Sequence, residues 1–266
     1  MDELIRSVSN PVIKSIRKLS ENRSERRRTG RFLIEGYKVC IEALRRPGLV
    51  ELVLLSDEAN EMEGALLADA TAQAGVELRW VTGSVLRSVS DSQSPQGVTA
   101  KCIVPPQFSF APDSKGPIFW LDQLQDPGNV GAVIRVASAM GHVGVLVSQG
   151  SADPFSPKAT RASAGQNLVV PILTEFDPQA VAMRCRESGG RVLIADSAGG
   201  IPIWEAGGLG NCLVVLGSEG AGPSAEVRAL ADRTVLIPMD GGVESLNVAV
   251  SAGIIAYEAY RSAQIG

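Results

Sequence analysis

The sequence predicts an α/β protein: a parallel sheet in the C-terminal half, preceded by a smaller α/β domain. Three observations carry this. From residue 118 onward, continuous apolar runs alternate with helical stretches, as strands buried on both faces require. A shorter alternation of strand and helix fills residues 31–103. Between them, VPPQFSFAPDSKGP at 104–117 is rich in Pro and turn formers and has no periodicity, so it reads as a linker. A chain of 266 residues is long enough for two cores.

Residues 1–30 read as a basic N-terminal arm. Residues 1–48 hold 12 Lys/Arg against 6 Asp/Glu, although the whole chain carries a net charge of −4. The remainder is therefore strongly acidic. Lys14, Arg17, Lys18, Arg23, Arg26, Arg27, Arg28 and Arg31 form the densest stretch. A basic segment on an acidic protein suggests a polyanionic partner, with nucleic acid favoured. The plainer reading is a solvated helix, because Glu21 and Glu25 stand at helical spacing from arginines. A membrane surface is disfavoured, since the segment is poor in the Trp, Phe and Leu of interfacial helices.

In the small domain, RFLIEGYKVCIEALRR leads from strand to helix and VELVLLS is a strand. DEANEMEGALLADATAQAG is helical, VELRWVT a strand, GSVLRSVSD a short helix and GVTAKCIV a closing strand. In the larger domain, 118–266, strands are predicted at 118–122, 143–148, 168–173, 191–196, 212–217 and 234–238, with helices between them. The last helix is expected to open at Ser245. From Leu246 to Tyr257 it carries no charge, so it is expected to be buried on more than one face. Its roughly twelve uncharged residues are too few to span a bilayer, which needs about twenty.

Composition disfavours several chemistries. Cys40, Cys102, Cys185 and Cys212 are far apart, without a CxxC pair, and the chain has one histidine. A zinc site, a disulfide framework and a Ser-His-Asp triad are thus disfavoured, and a reducing cytoplasm is expected. The first residues, MDELIRSVSN, lack the apolar run of a signal peptide.

Ligands of open parallel sheets bind beyond the carboxyl ends of the strands, and three such ends are unusual here. In DQLQDPGNVGAVIRVASAMG at 122–141, Val130, Val133, Ile134 and Ala137 form a core stripe. Asn129 at the helix start is either an N-cap or a functional group. Arg135, flanked by Ala and Val, needs either an ion-pair partner or an anionic ligand. In LGSEGAGPSAEV at 216–227, Gly217, Gly220 and Gly222 allow close backbone approach to a ligand, although neither GxGxxG nor GxxxxGK[ST] is present. The third is VLIPMDGGVESLNVAVSAGIIAY at 235–257, where Ser245 and Asn247 stand at a helix mouth. Lys158 and Arg161 in DPFSPKATRASAG form either a phosphate-binding pair or a surface charge pair. His142 reads as an ordinary loop or helix-end histidine.

Together, DPGNVGAVIRVA, LGSEGAGPS and IPMDGGVESLNVAVSAGI, in this order, resemble the three motifs of the SpoU (TrmH-type) branch of the SPOUT RNA methyltransferases. Residues 31–103 resemble the ribosomal-protein-like substrate-binding domain common in that family. The resemblance implies a SPOUT domain with a C-terminal trefoil knot and S-adenosyl-L-methionine held bent between the second and third motifs. Gly217, Ile237 and Leu246 would contact it largely through backbone, with Ala195, Met239 and Ser245 nearby. It further implies a homodimer through the last helix that brings Asn129 and Arg135 to the RNA and the donor. The reaction implied is methyl transfer to a ribose 2′-hydroxyl, with no metal. Arg135 would bind the adjacent phosphate or the developing alkoxide, while Asn129, Glu219 and Asn247 orient it and the ribose. Glu219 is alternatively a structural partner of Arg135 or Arg161.

Ribosomal RNA is favoured over transfer RNA because an added domain and arm suit a large structured target. The rival readings are a tRNA 2′-O-methyltransferase, a base methyltransferase of the same fold and a non-catalytic RNA-binding protein. A Rossmann-type nucleotide enzyme is disfavoured, because no GxGxxG turn follows an early strand.

Overall fold

The computed structural model describes residues 4–92, 95–106, 116–141, 144–218, 220–241 and 244–265. His142, Glu219 and most of the expected linker lie outside the described residues. The chain divides into two compact units, residues 1–105 with 155–168, and residues 106–154 with 169–266.

The first unit opens with α1 (Pro11–Glu21) and α2 (Arg23–Thr29). β1 (Arg31–Glu35), α3 (Tyr37–Leu44), β2 (Val50–Ser56), α4 (Glu61–Gln73), β3 (Glu77–Val81), α5 (Gly83–Arg87) and β4 (Val98–Ile103) follow, as the hydrophobic pattern predicts. The sheet order is β1-β4-β2-β3, with only β2 and β3 parallel.

Residues 4–30, expected as part of a basic arm, belong to the first unit. Asn10 caps α1 by accepting from the Val12 N–H, and Pro11 occupies a first-turn position where its missing N–H costs nothing. The helix buries Ile13, Ile16 and Leu19 against Leu33, Leu52, Leu54, Val81 and Leu86. Each such side chain contributes roughly 1.5–3 kcal/mol of hydrophobic burial. The basic residues of α1 occupy its other faces, so the helix is amphipathic and docked. Ile5 also bridges to Val81, which ties the segment before α1 to the sheet.

The second unit begins with β5 (Ile118–Leu121), α6 (Pro127–Ala139) and β6 (Val145–Val147). The chain then contributes α7 (Pro157–Ala162) to the first unit, where the Phe155 ring lies 5.0 Å from Phe32. Gly165 in this insertion has φ +78°, and a Cβ there would meet Val39 at 2.5 Å, so a side chain is excluded on both counts. The expected domain at 118–266 includes residues 155–168, which cluster with the first unit, where α7 packs on β1.

The second unit continues with β7 (Ile172–Leu173), α8 (Pro178–Glu187), β8 (Val192–Ala195), β9 (Ile201–Pro202), β10 (Leu213–Leu216), α9 (Ala225–Ala229), β11 (Arg233–Leu236) and α10 (Val248–Ile265). Its seven strands are parallel in the order β7-β6-β5-β10-β8-β11-β9. The expected strand at 168–173 shrinks to two residues after a 3₁₀ turn at Gln166–Leu168. The edge strand β9 was not expected. Val130, Val133, Ile134 and Ala137 are buried in α6, as their spacing predicts, and α10 packs against this helix.

The expectation for the last helix needs correcting. Ala252, Ile255, Ala256 and Ala259 are buried, but Val250, Ile254, Tyr257 and Tyr260 are 37–58% exposed. Within one chain, α10 therefore has an apolar outer face. Among the described residues no helix is long and apolar enough to cross a membrane.

Candidate active site

The carboxyl ends of β8, β10 and β11 open onto a cleft of about 410 Å³ in the second unit. That volume falls within the roughly 300–1,000 Å³ of small-molecule sites. Gly217, Ile237, Leu246, Ala195, Met239 and Ser245 all line it, three sequence segments converging on one space. Leu216, Ile237, Met239 and Leu246 make part of the wall apolar, and the glycine loop supplies backbone polar atoms.

The loop after β10 is tightly closed. The Gly222 N–H donates to Ser218 O at 2.9 Å, and Ser218 N–H returns a bond to Gly222 O at 3.3 Å. At Gly217 a Cβ would overlap the Pro223 nitrogen and the Gly222 carbonyl carbon, so only glycine lets the loop fold back over the strand end. Two anchors hold this loop, and neither was singled out from sequence. Asp122, 2% exposed at the end of β5, accepts from Ser148 Oγ at 2.6 Å and from Ser224 N–H at 2.7 Å. Arg228 donates to Pro223 O at 3.2 Å and to Asp196 Oδ2 at 2.8 Å. The Ala198 N–H holds the Asp196 carboxyl below its ordinary range; partial burial opposes this and Arg228 adds to it. An Asp immediately after a strand is the sequence signal that both anchors share.

At the third motif the capping residue is Asn247, not Ser245. The Asn247 Oδ1 accepts from the Ala249 N–H at 2.9 Å, and its carbonyl accepts from Ser251 N–H at 3.0 Å. Ser245 stands two residues earlier on the cleft wall. At the first motif Asp126 caps α6 through the Gly128 N–H, so Asn129 is not the N-cap. Its side chain instead accepts from Asn247 Nδ2 at 3.1 Å.

Arg135 does not stand in an apolar environment. It is exposed, because Val133, Ile134 and Ala137 take the inward positions of α6 and leave it on the outer face. Among the described residues it makes no ion pair, and it does not line the cleft. The structure thus brings Asn129 and Asn247 together and leaves Arg135 apart from them within one chain.

The expected RNA-binding residues divide. Arg26 is 6% exposed and donates to Leu19 O at 2.6 Å and to Ser20 O at 3.1 Å, which satisfies carbonyls at the end of α1. That corrects its assignment, since its guanidinium is committed to the fold. Arg28 pairs with Glu25, Arg31 with Glu51, and Arg161 with Asp91, while Arg17 donates to Ser88 O. Lys14, Lys18, Arg27 and Lys158 are exposed. Arg161 also lines a larger cleft of about 980 Å³ in the first unit, with Tyr37, Lys38, Arg87 and Gln96. Among the described residues no cluster of metal-ligating side chains occurs.

Comparison with known proteins places this geometry in a class. Residues 116–257 match the SpoU rRNA Methylase family, and residues 10–100 match the MRM3-like substrate binding domain. The chain belongs to the SpoU rRNA methylase family. It is 31% identical over 253 residues to the Bacillus subtilis (strain 168) 23S rRNA (guanosine(2553)-2′-O)-methyltransferase RlmP, covering 95% of this chain and 97% of that one. It is 32% identical over 257 residues to the Streptomyces laurentii 23S rRNA (adenosine(1067)-2′-O)-methyltransferase, covering 95% and 93%. Among solved structures, the SpoU methyltransferase AviRb from Streptomyces viridochromogenes in complex with AdoMet superposes with a TM-score of 0.84 at 27% identity, covering 97% of this chain and all of that one. An RNA 2′-O ribose methyltransferase superposes at 0.80 with 30% identity, covering 98% and 99%.

Proposed function

We propose that this protein transfers a methyl group from S-adenosyl-L-methionine to a ribose 2′-hydroxyl of ribosomal RNA. The observation that carries this is the convergence of Ala195, Gly217, Ile237, Met239, Ser245 and Leu246 on one cleft at the carboxyl ends of β8, β10 and β11. Full-length similarity to relatives named as 23S rRNA 2′-O-methyltransferases supports the reaction and favours ribosomal over transfer RNA. The first unit, which matches a substrate-binding domain, would recruit the RNA, with Lys14, Lys18, Arg27 and Lys158 as exposed phosphate contacts.

The donor supplies a methyl group already activated by its sulfonium, so the protein's task is alignment and charge stabilisation. The glycine loop and the 237–247 segment hold the donor, the first through backbone groups fixed by Asp122 and Arg228. Arg135 stabilises the phosphate next to the target ribose or the emerging alkoxide. Its guanidinium does not act as the base, because it hardly deprotonates in proteins. The Asn129–Asn247 pair fixes the helix ends that carry Arg135 and the cleft wall. Glu219, two residues after Gly217 in the sequence, is assigned to orient the ribose. The trefoil knot is part of this reading.

The reading includes a homodimer. Val250, Ile254, Tyr257 and Tyr260 form an exposed apolar stripe on α10, which packs against the helix bearing Arg135. A second copy covering this stripe would let Arg135 serve the partner's cleft. RNA from cells lacking this protein should have lost one ribose methylation in its ribosomal RNA. Loss from transfer RNA would favour the rival substrate, and an unchanged methylation map would overturn the proposal.

A further inference from the structure

Among the described residues, the charges lining the donor cleft do not balance. Asp196 is engaged by Arg228 and by the Ala198 N–H, so its charge is answered within the wall. Glu244 lines the same cleft, is exposed, and has no cationic partner among the described residues. It lies on the segment that also carries Met239, Ser245 and Leu246.

This imbalance matters because methyl transfer changes the charge of the cleft's occupant. As the S–CH₃ bond breaks, its electron pair stays on sulfur, O–CH₃ forms and the hydroxyl proton passes to water. The donor is thus a sulfonium cation, and the demethylated product is a neutral thioether. A carboxylate beside the cleft attracts the first and is indifferent to the sulfur of the second.

We propose that Glu244 makes the cleft select the cationic methyl donor over its demethylated product. This rests on the methyl-donor reading of the cleft. Glu244 is exposed, so its contribution is that of a solvent-screened ion pair. It lowers the affinity of the product relative to the donor, and so favours exchange of one for the other after each turnover.

The test is calorimetric titration of the apoprotein with S-adenosyl-L-methionine, S-adenosylhomocysteine and sinefungin, which carries an ammonium near the position of the sulfonium. In Glu244→Gln the donor and sinefungin should weaken about three- to fivefold, and S-adenosylhomocysteine should stay within about twofold of wild type. Glu244→Asp should restore most of the selectivity. The difference between wild type and Glu244→Gln should shrink in about 1 M salt, where the screening length falls to about 3 Å. Equal weakening of all three ligands would show a role in shape alone and overturn the proposal, as would three unchanged affinities. A wild-type protein that binds none of the three would overturn the donor reading of the cleft itself.

Discussion

Asn247 joins two motifs that lie 118 residues apart. Its Nδ2 donates to Asn129 Oδ1 at 3.1 Å, while its own Oδ1 caps α10 through the Ala249 N–H at 2.9 Å. One amide therefore fixes the start of α10 and the first turn of α6 together. Asn247→Ala should destabilise the protein by about 1–2 kcal/mol, the sum of a lost cap and one hydrogen bond. Asn129→Ala should cost less, because the cap survives. A double-mutant cycle read by urea unfolding should return a coupling of about 0.5–1 kcal/mol. Strict additivity would contradict the pairing.

Arg135 is exposed and makes no hydrogen bond or ion pair among the described residues. Arg135→Ala should change unfolding free energy by less than about 0.5 kcal/mol. It should lower the rate of methyl transfer about 100- to 1,000-fold, as removal of a transition-state donor does. A variant that incorporates methyl groups at the wild-type rate would remove Arg135 from the catalytic machinery.

Arg26 and its basic neighbours should behave oppositely. Arg26→Ala leaves the Leu19 and Ser20 carbonyls without their guanidinium donor and should cost about 1–3 kcal/mol of stability. Lys14→Ala and Lys18→Ala should leave stability unchanged and weaken RNA binding. If each lysine meets one phosphate, each substitution should reduce the salt dependence of log K by about 0.7–0.9. An unchanged salt slope in both would exclude this face of α1 from the RNA interface.

The Asp196 carboxyl titrates below its ordinary value of 3.8 in the folded protein, chiefly through the Ala198 N–H. A lowered folded-state pKa favours folding while the group is ionised. This contribution is fully present above the ordinary value and is lost as pH falls through the lowered one. Wild type should therefore exceed Asp196→Asn in stability at neutral pH, and the two should converge in strong acid. A difference that is constant with pH would dismiss the carboxylate as a source of the effect.

What the sequence revealed follows from how each signal is encoded. β5, β10 and β8 are buried on both faces, so their apolar runs are continuous and unmistakable. A helix was legible at α1 but its docking was not, because its charges outnumber the three apolar residues, Ile13, Ile16 and Leu19, that carry it. The packing of residues 155–168 on β1 is a tertiary event, made by Phe155 meeting Phe32 and Gly165 passing Val39, with no local mark. Within the site, the lining residues were legible through the motif resemblance. Asp122 and Arg228 were not, since each works through a partner distant in sequence, Ser224 for Asp122 and Asp196 for Arg228. Arg135 misled in a different way, because its sequence neighbours are apolar while its position on the helix faces solvent.

The central claim is ribose methylation of RNA, and nucleoside analysis tests it most directly. Purified protein is incubated with ribosomal RNA and isotopically labelled S-adenosyl-L-methionine, and the RNA is digested to nucleosides for mass spectrometry. The account predicts label in a single 2′-O-methylnucleoside, with the added mass on the ribose fragment. Label on the base fragment, or no label in RNA under conditions where the protein binds the donor, would contradict it.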